Sequence, residues 1–218
     1  MKKVLILVEG QTEETVVRDV LGPYLNSRGV YLEPIILKTK REKWGTTFKG
    51  GIRSFDQVRR DLLPLLGDTS AAAVTTFIDY YGLPQDFPGM DSRPTGDPYA
   101  RIRHVESAFS ESIAHPRLIP HLTLHELEAW LFVDPKKGSW VFQDNDIPGK
   151  LDGIRLASGG AEKINENPDT APSRRILGLA KGYQKALHGP MVIGAIGMEA
   201  IRAACPHADD WLKRIEQL

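Results

Sequence analysis

The sequence contains one cysteine, no excess of either charge and no long apolar run near its start. The single Cys205 among 218 residues excludes a disulfide framework and a cysteine-rich zinc site, and it suits a reducing compartment such as the cytoplasm. Lys and Arg number 28 and Asp and Glu number 28. This balance excludes a protein whose whole surface is strongly basic for binding nucleic acid, but it does not exclude a local basic patch. The first apolar run, residues 4–8, is too short for a signal peptide or a membrane span. We therefore expect a cytoplasmic protein without a membrane partner.

The sequence does contain the alternating pattern of an α/β protein. Residues 4–8 form a continuous apolar run, as expected for a strand buried on both faces of a parallel sheet. A helical apolar period follows over residues 16–25. Further strands are predicted at 32–37, 71–78 and 118–123. Pro120 has no backbone N–H and places the last of these at a sheet edge. The pattern predicts a mostly parallel sheet of four or five strands flanked by helices.

The chain changes character after residue 134. Residues 1–134 carry the α/β pattern, and we interpret them as the core. Residues 135–218 show helical patterns with one short strand expected at 140–142, so we interpret them as a mainly helical extension packed on the core in one structural unit. Within the core, Ser54 and Gln57 fit a capping box at the start of the second helix.

Carboxylates follow three of the predicted strands. Glu9 follows the first strand, Asp79 the third, and Glu126 and Glu128 the fourth. Functional groups of open α/β sheets lie beyond the carboxyl ends of the strands, and oxygen ligands that converge there suit Mg²⁺ or Mn²⁺. Two such ions can activate a water and stabilise the leaving oxygen in phosphodiester cleavage. The alternative interpretation is that these carboxylates end strands by chance or for capping.

Five segments of the chain also carry a specific resemblance: residues 8–14, 77–84, 125–132, 171–175 and 182–185. In this order they are similar to the Toprim-like family known as domain of unknown function 4276. The first segment, a strand followed by Glu9 and Gly10, resembles the first motif of Toprim domains, which occur in topoisomerases, primases and OLD-type nucleases. The resemblance implies a Toprim-like fold for the core, with Glu9 as the catalytic acid/base or a metal ligand.

The resemblance assigns roles to the other carboxylates as well. Asp79 matches the first Asp of the Toprim Asp-x-Asp pair, but the second position is Tyr81, so Glu126 or Glu128 is expected to supply the missing metal ligand. If their segment is extended, both side chains point to one face. If it is helical, they lie roughly 200° apart and one of them reaches the site. Glu128 is favoured, because the family motif centres on the Glu-Ala-Trp-Leu-Phe run.

Two groups of residues are candidates for phosphate or nucleic-acid binding. Lys49 and Gly50 precede the second helix, where backbone N–H groups can cradle a phosphate. The second group comprises Ser173, Arg174, Arg175, Lys181, Tyr183 and Lys185. If this segment were one continuous helix, Arg174, Lys181 and Lys185 would lie on the same face. Lys185 or Arg174 would then be the catalytic residue that contacts the scissile phosphate. Tyr183 is a candidate for stacking on bases. A solvated helix face is the alternative interpretation.

Two classes of function fit these features. The first is a metal-dependent enzyme acting on phosphodiesters, which the resemblance implies is a Toprim-type DNA nuclease or nicking subunit using Mg²⁺ or Mn²⁺. The chain has no ATPase motif of its own, and the family analogy implies an ABC/AAA-type ATPase encoded nearby and a role in phage defence. The second class is a non-catalytic Toprim-like module that binds a partner ATPase or nucleic acid, which Tyr81 favours.

Overall fold

The computed structural model describes residues 1–38, 51–142, 144–164 and 168–218. Within them the strands form a parallel sheet in the order β2-β1-β3-β4, with β5 also paired to β3. The strands are β1 (Lys2–Val8), β2 (Val30–Ile36), β3 (Ala73–Asp79), β4 (Leu118–Ile119) and β5 (Leu122–Thr123). This confirms the predicted parallel α/β sheet flanked by helices.

The predicted fourth strand is divided into β4 and β5 at Pro120. Pro120 has no backbone N–H for the ladder, and hydroxyl groups from β3 make hydrogen bonds on either side of it. Thr75 donates to the Ile119 carbonyl at 2.6 Å, and Thr76 donates to the His121 carbonyl at 2.7 Å. His121 N returns a bond to Thr76 Oγ1 at 3.0 Å. β4 is the last strand in the sheet order, as the proline predicts.

Helices cover both faces of the sheet. The α-helices are α1 (Gln11–Val16), α2 (Gly22–Asn26), α3 (Phe55–Gly67), α4 (Pro98–Ile113), α5 (Ile147–Ser158), α6 (Pro172–Leu179), α7 (Lys185–Ile196), α8 (Met198–Ala204) and α9 (Pro206–Glu216). A π-helical turn at Val17–Leu21 joins α1 to α2. Among the described helices, none is both long and apolar enough to cross a membrane.

The side chains of β1 divide the core into two layers. Val4, Ile6 and Val8 pack in one buried cluster with α1 and the C-terminal helices. Leu5 and Leu7 pack in the other cluster with α3 and α4. Because successive residues of a strand face opposite sides, an unbroken apolar run is what a doubly covered strand requires. Residues from the C-terminal third therefore complete one of the two layers.

Two local predictions are wrong. The side chain of Ser54 makes no capping hydrogen bond. The Asp86 carboxylate accepts from Phe55 N instead, at 3.2 and 3.1 Å, while Gln57 Oε1 accepts from Arg53 N. Residues 140–142 are not a strand, because a 3₁₀ helix spans Pro135–Val141. At the start of α3, a contact from outside the short sequence window therefore takes the place of the predicted cap.

Candidate functional site

The parallel sheet brings the predicted carboxylates to one edge. Glu9 directly follows β1 and Asp79 is the last residue of the neighbouring β3. The segment after β5 is attached to the same edge, since Tyr81 N donates to the His125 carbonyl at 2.8 Å and Leu127 N donates to Asp79 Oδ1 at 3.0 Å. His125 adopts a left-handed backbone conformation with φ 68°, which turns the chain into the 3₁₀ helix Leu127–Phe132.

Lys185 joins two of these carboxylates. It is the first residue of α7, and its Nζ lies 3.0 Å from Glu128 Oε2 and 3.9 Å from Asp79 Oδ2. Those two oxygens are therefore at most 6.9 Å apart. Burial alone would lower the pKa of Lys185, but Asp79, Glu128 and Glu13 outweigh it and raise that pKa above its ordinary value. The ammonium group is thus held in its charged form between the carboxylates.

The carboxylates are close enough to disfavour one another's ionisation. Burial raises the pKa of Glu9 to about 7, and the charge of Glu13 adds to the effect while Lys185 opposes it. Burial likewise raises the pKa of Glu128 to about 7 and that of Asp79 well above its ordinary value. Glu128 Oε1 is buried with no hydrogen-bond partner among the described residues. When they are ionised, Glu9, Asp79 and Glu128 carry more negative charge than Lys185 neutralises, and an added cation would favour that ionised state.

Glu13 is a member of the cluster that the sequence interpretation missed. Its side chain is buried, with 5% exposed, although its position in the first turn of α1 is typical of a solvated residue that complements the helix dipole. A signal was available, because Glu13 shares a helical face with Val16, Val17 and Val20 at spacings of three, four and seven residues. A charged residue on an apolar face indicates a buried functional group or a buried ion pair.

The structure separates the two alternative glutamates. Glu126 has extended backbone dihedrals, φ −144° and ψ 154°, and its carboxylate accepts from Ser173 N at 2.9 Å and from Ser173 Oγ at 3.1 Å. Glu128 lies within the 3₁₀ helix and faces Lys185. Both are buried, but Glu126 connects the start of α6 to the sheet edge, whereas Glu128 belongs to the carboxylate cluster around Lys185. Metal binding by either residue stays a prediction.

The predicted basic face is not formed. α6 ends at Leu179 and α7 begins at Lys185, so Arg174, Lys181 and Lys185 do not share a helix. Lys185 alone of the three has contacts with the carboxylates, while Arg174 and Lys181 are exposed. The break between the helices follows from residues 180–184, where Gly182 and its neighbours form a turn.

The other phosphate candidates lie in different environments. Arg175 Nε donates to the Thr170 carbonyl at 2.7 Å, and Ser173 is bonded to Glu126. Tyr183 is buried, and its hydroxyl has no hydrogen-bond partner in the part of the chain that the structure describes. Lys49 and Gly50 lie outside the described residues. Phosphate or nucleic-acid contacts by these residues stay predictions.

A second group of buried polar side chains shares no residue with this cluster. The ligand atoms of Glu106, His121 and His207 lie within 4.8 Å of one another, close enough to hold a metal ion. It is the one group of three or more such residues at this spacing among the residues described. Sequence spacing gave little indication of it, because these residues come from α4, the β4–β5 connection and α9. His121 and His125 are four residues apart but lack the glutamate of a zinc protease motif.

Comparison with known proteins identifies the family. Comparisons with curated proteins and with solved structures found no match. The family described as Domain of unknown function (DUF4276) matches residues 8–216, a range that includes all five segments on which the sequence resemblance rests. The carboxylates, Lys185 and the Glu106 group all lie within it. The chain belongs to the DUF4276 family.

Proposed function

We propose that the protein is a metal-dependent phosphodiester-cleaving enzyme, a Toprim-type DNA nuclease or nicking subunit. The observation that carries the proposal is the contact of Lys185 with Glu128 and Asp79 at the carboxyl edge of the sheet, beside Glu9. Buried carboxylates with raised pKa values beside a lysine are typical of a site that handles protons and phosphate oxygens. An ordinary structural ion pair would not require the additional carboxylates of Glu9, which is half-buried, and Glu13, which is buried.

The donor set fits Mg²⁺ or Mn²⁺. Glu9, Asp79 and Glu128 supply oxygen ligands, which both ions prefer, and Glu128 Oε1 is buried without a partner in the described residues. Glu128 Oε2 and Asp79 Oδ2 are at most 6.9 Å apart, which leaves room for an ion that keeps several of its waters, as Mg²⁺ commonly does. When bound, such an ion would lower the pKa of water and stabilise negative charge on the leaving oxygen.

The side chains of the cluster have separate roles in the proposed reaction. Glu9 is either a ligand of the ion or the base: without an ion on its carboxylate, burial raises its pKa to about 7, so that it can accept the proton of the attacking water near neutral pH. Lys185 carries a fixed positive charge that can stabilise the extra negative charge of the transition state as water attacks and the phosphorus–oxygen bond breaks. Glu128 and Asp79 hold Lys185 in place. Arg174 and Lys181, both exposed, are available to neighbouring phosphates of the same strand.

The proposal assigns a role to the C-terminal third and to partners. The carboxylates lie in residues 1–134 and Lys185 in residues 135–218, so the helical extension completes the site of the α/β core. Resemblance to OLD-type nucleases supports an ABC/AAA-type ATPase as the partner that loads DNA, in a phage-defence system in the cytoplasm. The net charge of zero agrees with such a division, since the chain has no general electrostatic attraction to DNA.

A non-catalytic module is the second candidate, and one observation favours it. Tyr81 stands where the resemblance places the second Toprim Asp and is partly exposed, so it adds no carboxylate to the cluster. In this alternative, Lys185 neutralises the carboxylates permanently, and the same surface binds an ATPase or nucleic acid without cutting. The two candidates differ in metal binding, because the enzyme needs Mn²⁺ or Mg²⁺ at the carboxylates and the module does not.

The decisive experiment measures metal binding first and cleavage second. Calorimetric titration of the full chain with Mn²⁺ should show binding. The Glu9→Gln and Glu128→Gln variants should lose this binding, and Glu14→Gln should retain it. Glu14 is the matched control, since it neighbours Glu13 on α1 and has no contact with Lys185. Nicking of supercoiled plasmid, with the partner ATPase if one is encoded nearby, should be lost in Glu9→Gln and Lys185→Ala. The exposed Lys136→Ala is the control for the lysine.

Two results would overturn the proposal, one at its mechanism and one at the enzyme itself. Wild-type cleavage by a folded Glu9→Gln protein would remove Glu9 from the mechanism. Absence of Mn²⁺ and Mg²⁺ binding by the wild type would favour the non-catalytic module, whatever partner is supplied.

A further inference from the structure

The Glu106 group brings together three side chains that are distant in the sequence. Glu106 comes from α4, His121 from the connection between β4 and β5, and His207 is the second residue of α9. Glu106 Oε1 lies 3.0 Å from His207 Nε2 and 3.7 Å from His121 Nδ1. The carbonyl of Leu122 lies 3.2 Å from the same His207 nitrogen and adds an oxygen to the group. Two nitrogen atoms and two oxygen atoms thus lie close together in one buried region.

His121 supplies an independent sign of a missing partner. Its side chain is 2% exposed, and neither ring nitrogen has a hydrogen-bond partner among the described residues. A buried polar group without a partner costs about 1–3 kcal/mol, so native proteins seldom leave one unless something else binds there. Nδ1 is the His121 nitrogen that lies 3.7 Å from Glu106 Oε1.

Packing fixes the His121 ring in this orientation. The ring stacks on Trp211 with centroids 4.1 Å apart and planes 5° apart, and it lies 5.0 Å from the His207 ring. Trp211 is itself held, because its indole N–H donates to Thr75 Oγ1 at 2.8 Å. A ligand whose ring cannot rotate is preorganised and loses little conformational entropy on binding.

We propose that Glu106, His121 and His207 bind a divalent transition-metal ion of the zinc type, at a site that shares no residue with the carboxylate cluster. Two imidazoles and one carboxylate are ligands that suit Zn²⁺, whereas Mg²⁺ prefers oxygen alone. Ligand atoms in a tetrahedral zinc site lie about 2.0–2.2 Å from the ion. Spacings of 3.0 and 3.7 Å between donor atoms are compatible with a shared ion after small side-chain shifts.

The site would fasten the C-terminal helix to the sheet. His207 lies in the first turn of α9 and Glu106 belongs to α4. Glu106 Oε1 also accepts from Leu122 N of β5 at 2.7 Å. A metal ion at this point would cross-link three elements that are otherwise joined by packing and hydrogen bonds. The alternative occupant is a proton shared by His207 and Glu106, and the experiment distinguishes the two.

The test uses the full chain, refolded or dialysed with Zn²⁺ after treatment with a chelator. The wild type should bind one equivalent of Zn²⁺ by elemental analysis, should melt at a higher temperature with the ion, and should give the visible absorption of tetrahedral Co²⁺. His121→Phe keeps a ring to stack on Trp211 but has no nitrogen, and Glu106→Gln keeps an oxygen acceptor for Leu122 N. Each should weaken zinc binding more than about 100-fold, since even outer-shell changes weaken metal sites by 10–100-fold.

Controls separate this site from the proposed function. His104→Ala, on the same helix as Glu106 but bonded to Ser92, should bind Zn²⁺ like the wild type. A Glu9→Gln, Glu128→Gln double variant should also bind Zn²⁺ normally while losing Mn²⁺. Absence of zinc and cobalt binding by the wild type, or wild-type zinc affinity in a folded His121→Phe protein, would overturn the zinc site and leave the shared proton. If both site variants fail to fold, the Co²⁺ spectrum and zinc stoichiometry of the wild type still decide.

Discussion

Replacing Glu128 by glutamine should stabilise the metal-free protein at alkaline pH, although it removes a proposed ligand. Glu128 is almost fully buried, and Lys185 only partly compensates its charge, because burial still raises the pKa to about 7. Glutamine keeps the shape of the side chain and carries no charge at any pH. Lys185 retains Asp79 as a partner at 3.9 Å in the variant. The substitution therefore removes an unfavourable charge without leaving the lysine alone.

The size of the effect follows from the pKa. A rise from 4.5 to about 7 corresponds to about 3 kcal/mol, since a tenfold change in an equilibrium constant is about 1.4 kcal/mol. The folded chain binds the proton more tightly than the unfolded chain, so the wild type loses stability as the pH rises from 4.5 to about 7. Neighbouring carboxylates titrate over the same range and share the effect. We expect the variant to gain about 1–3 kcal/mol at pH 8 and nothing near pH 4.

The assay is denaturant unfolding at pH 4, 6 and 8 with a chelator present. Glu14→Gln, the control used above, should show no such dependence on pH. A stability difference between Glu128→Gln and the wild type that is zero at pH 8, or that is larger at pH 4 than at pH 8, would refute the reasoning. In that case Lys185 would fully compensate the carboxylate, and no unneutralised charge would remain to attract a metal ion.

Two further predictions test the lysine and the helix cap. Lys185→Met should destabilise the metal-free protein by about 1–2 kcal/mol at pH 8, which is less than for a fully buried ion pair because the lysine is partly exposed. The loss of stability should be smaller at pH 5, where the carboxylates are protonated. Thermal melts at both pH values measure the loss, and an equal loss at both would contradict the prediction. Asp86→Ala should cost about 1 kcal/mol by removing the cap at Phe55 N, whereas Ser54→Ala should cost less than about 0.5 kcal/mol, and denaturant unfolding compares the two.

Local patterns in the sequence were sufficient for the sheet and for part of the site. An apolar run followed by a carboxylate placed Glu9 and Asp79 at the ends of parallel strands, because a buried strand and its end are encoded within a few residues. The choice between Glu126 and Glu128 was not decidable in this way. It depends on whether Ser173 or Lys185 is near, and both partners lie more than 40 residues away along the chain.

The remaining errors have the same origin. Ser54 matches a capping pattern, but Asp86 competes for Phe55 N from a loop that the local pattern does not include. The Glu106, His121 and His207 group is formed by three elements whose contacts arise from the packing of α9 against the sheet. Single-sequence periodicity describes one element at a time, so it cannot identify groups that arise where several elements meet.

The position of Lys185 in the chain has a consequence for biosynthesis. During translation Glu9, Asp79 and Glu128 are incorporated before Lys185, which contacts the last two of them. A nascent or truncated chain that ends before residue 185 contains acidic groups without their cation, so its sheet edge bears uncompensated repulsion. If the enzyme proposal holds, such fragments would also lack the charge needed to cut phosphodiesters. Prematurely terminated products would then be inert toward the cell's own DNA.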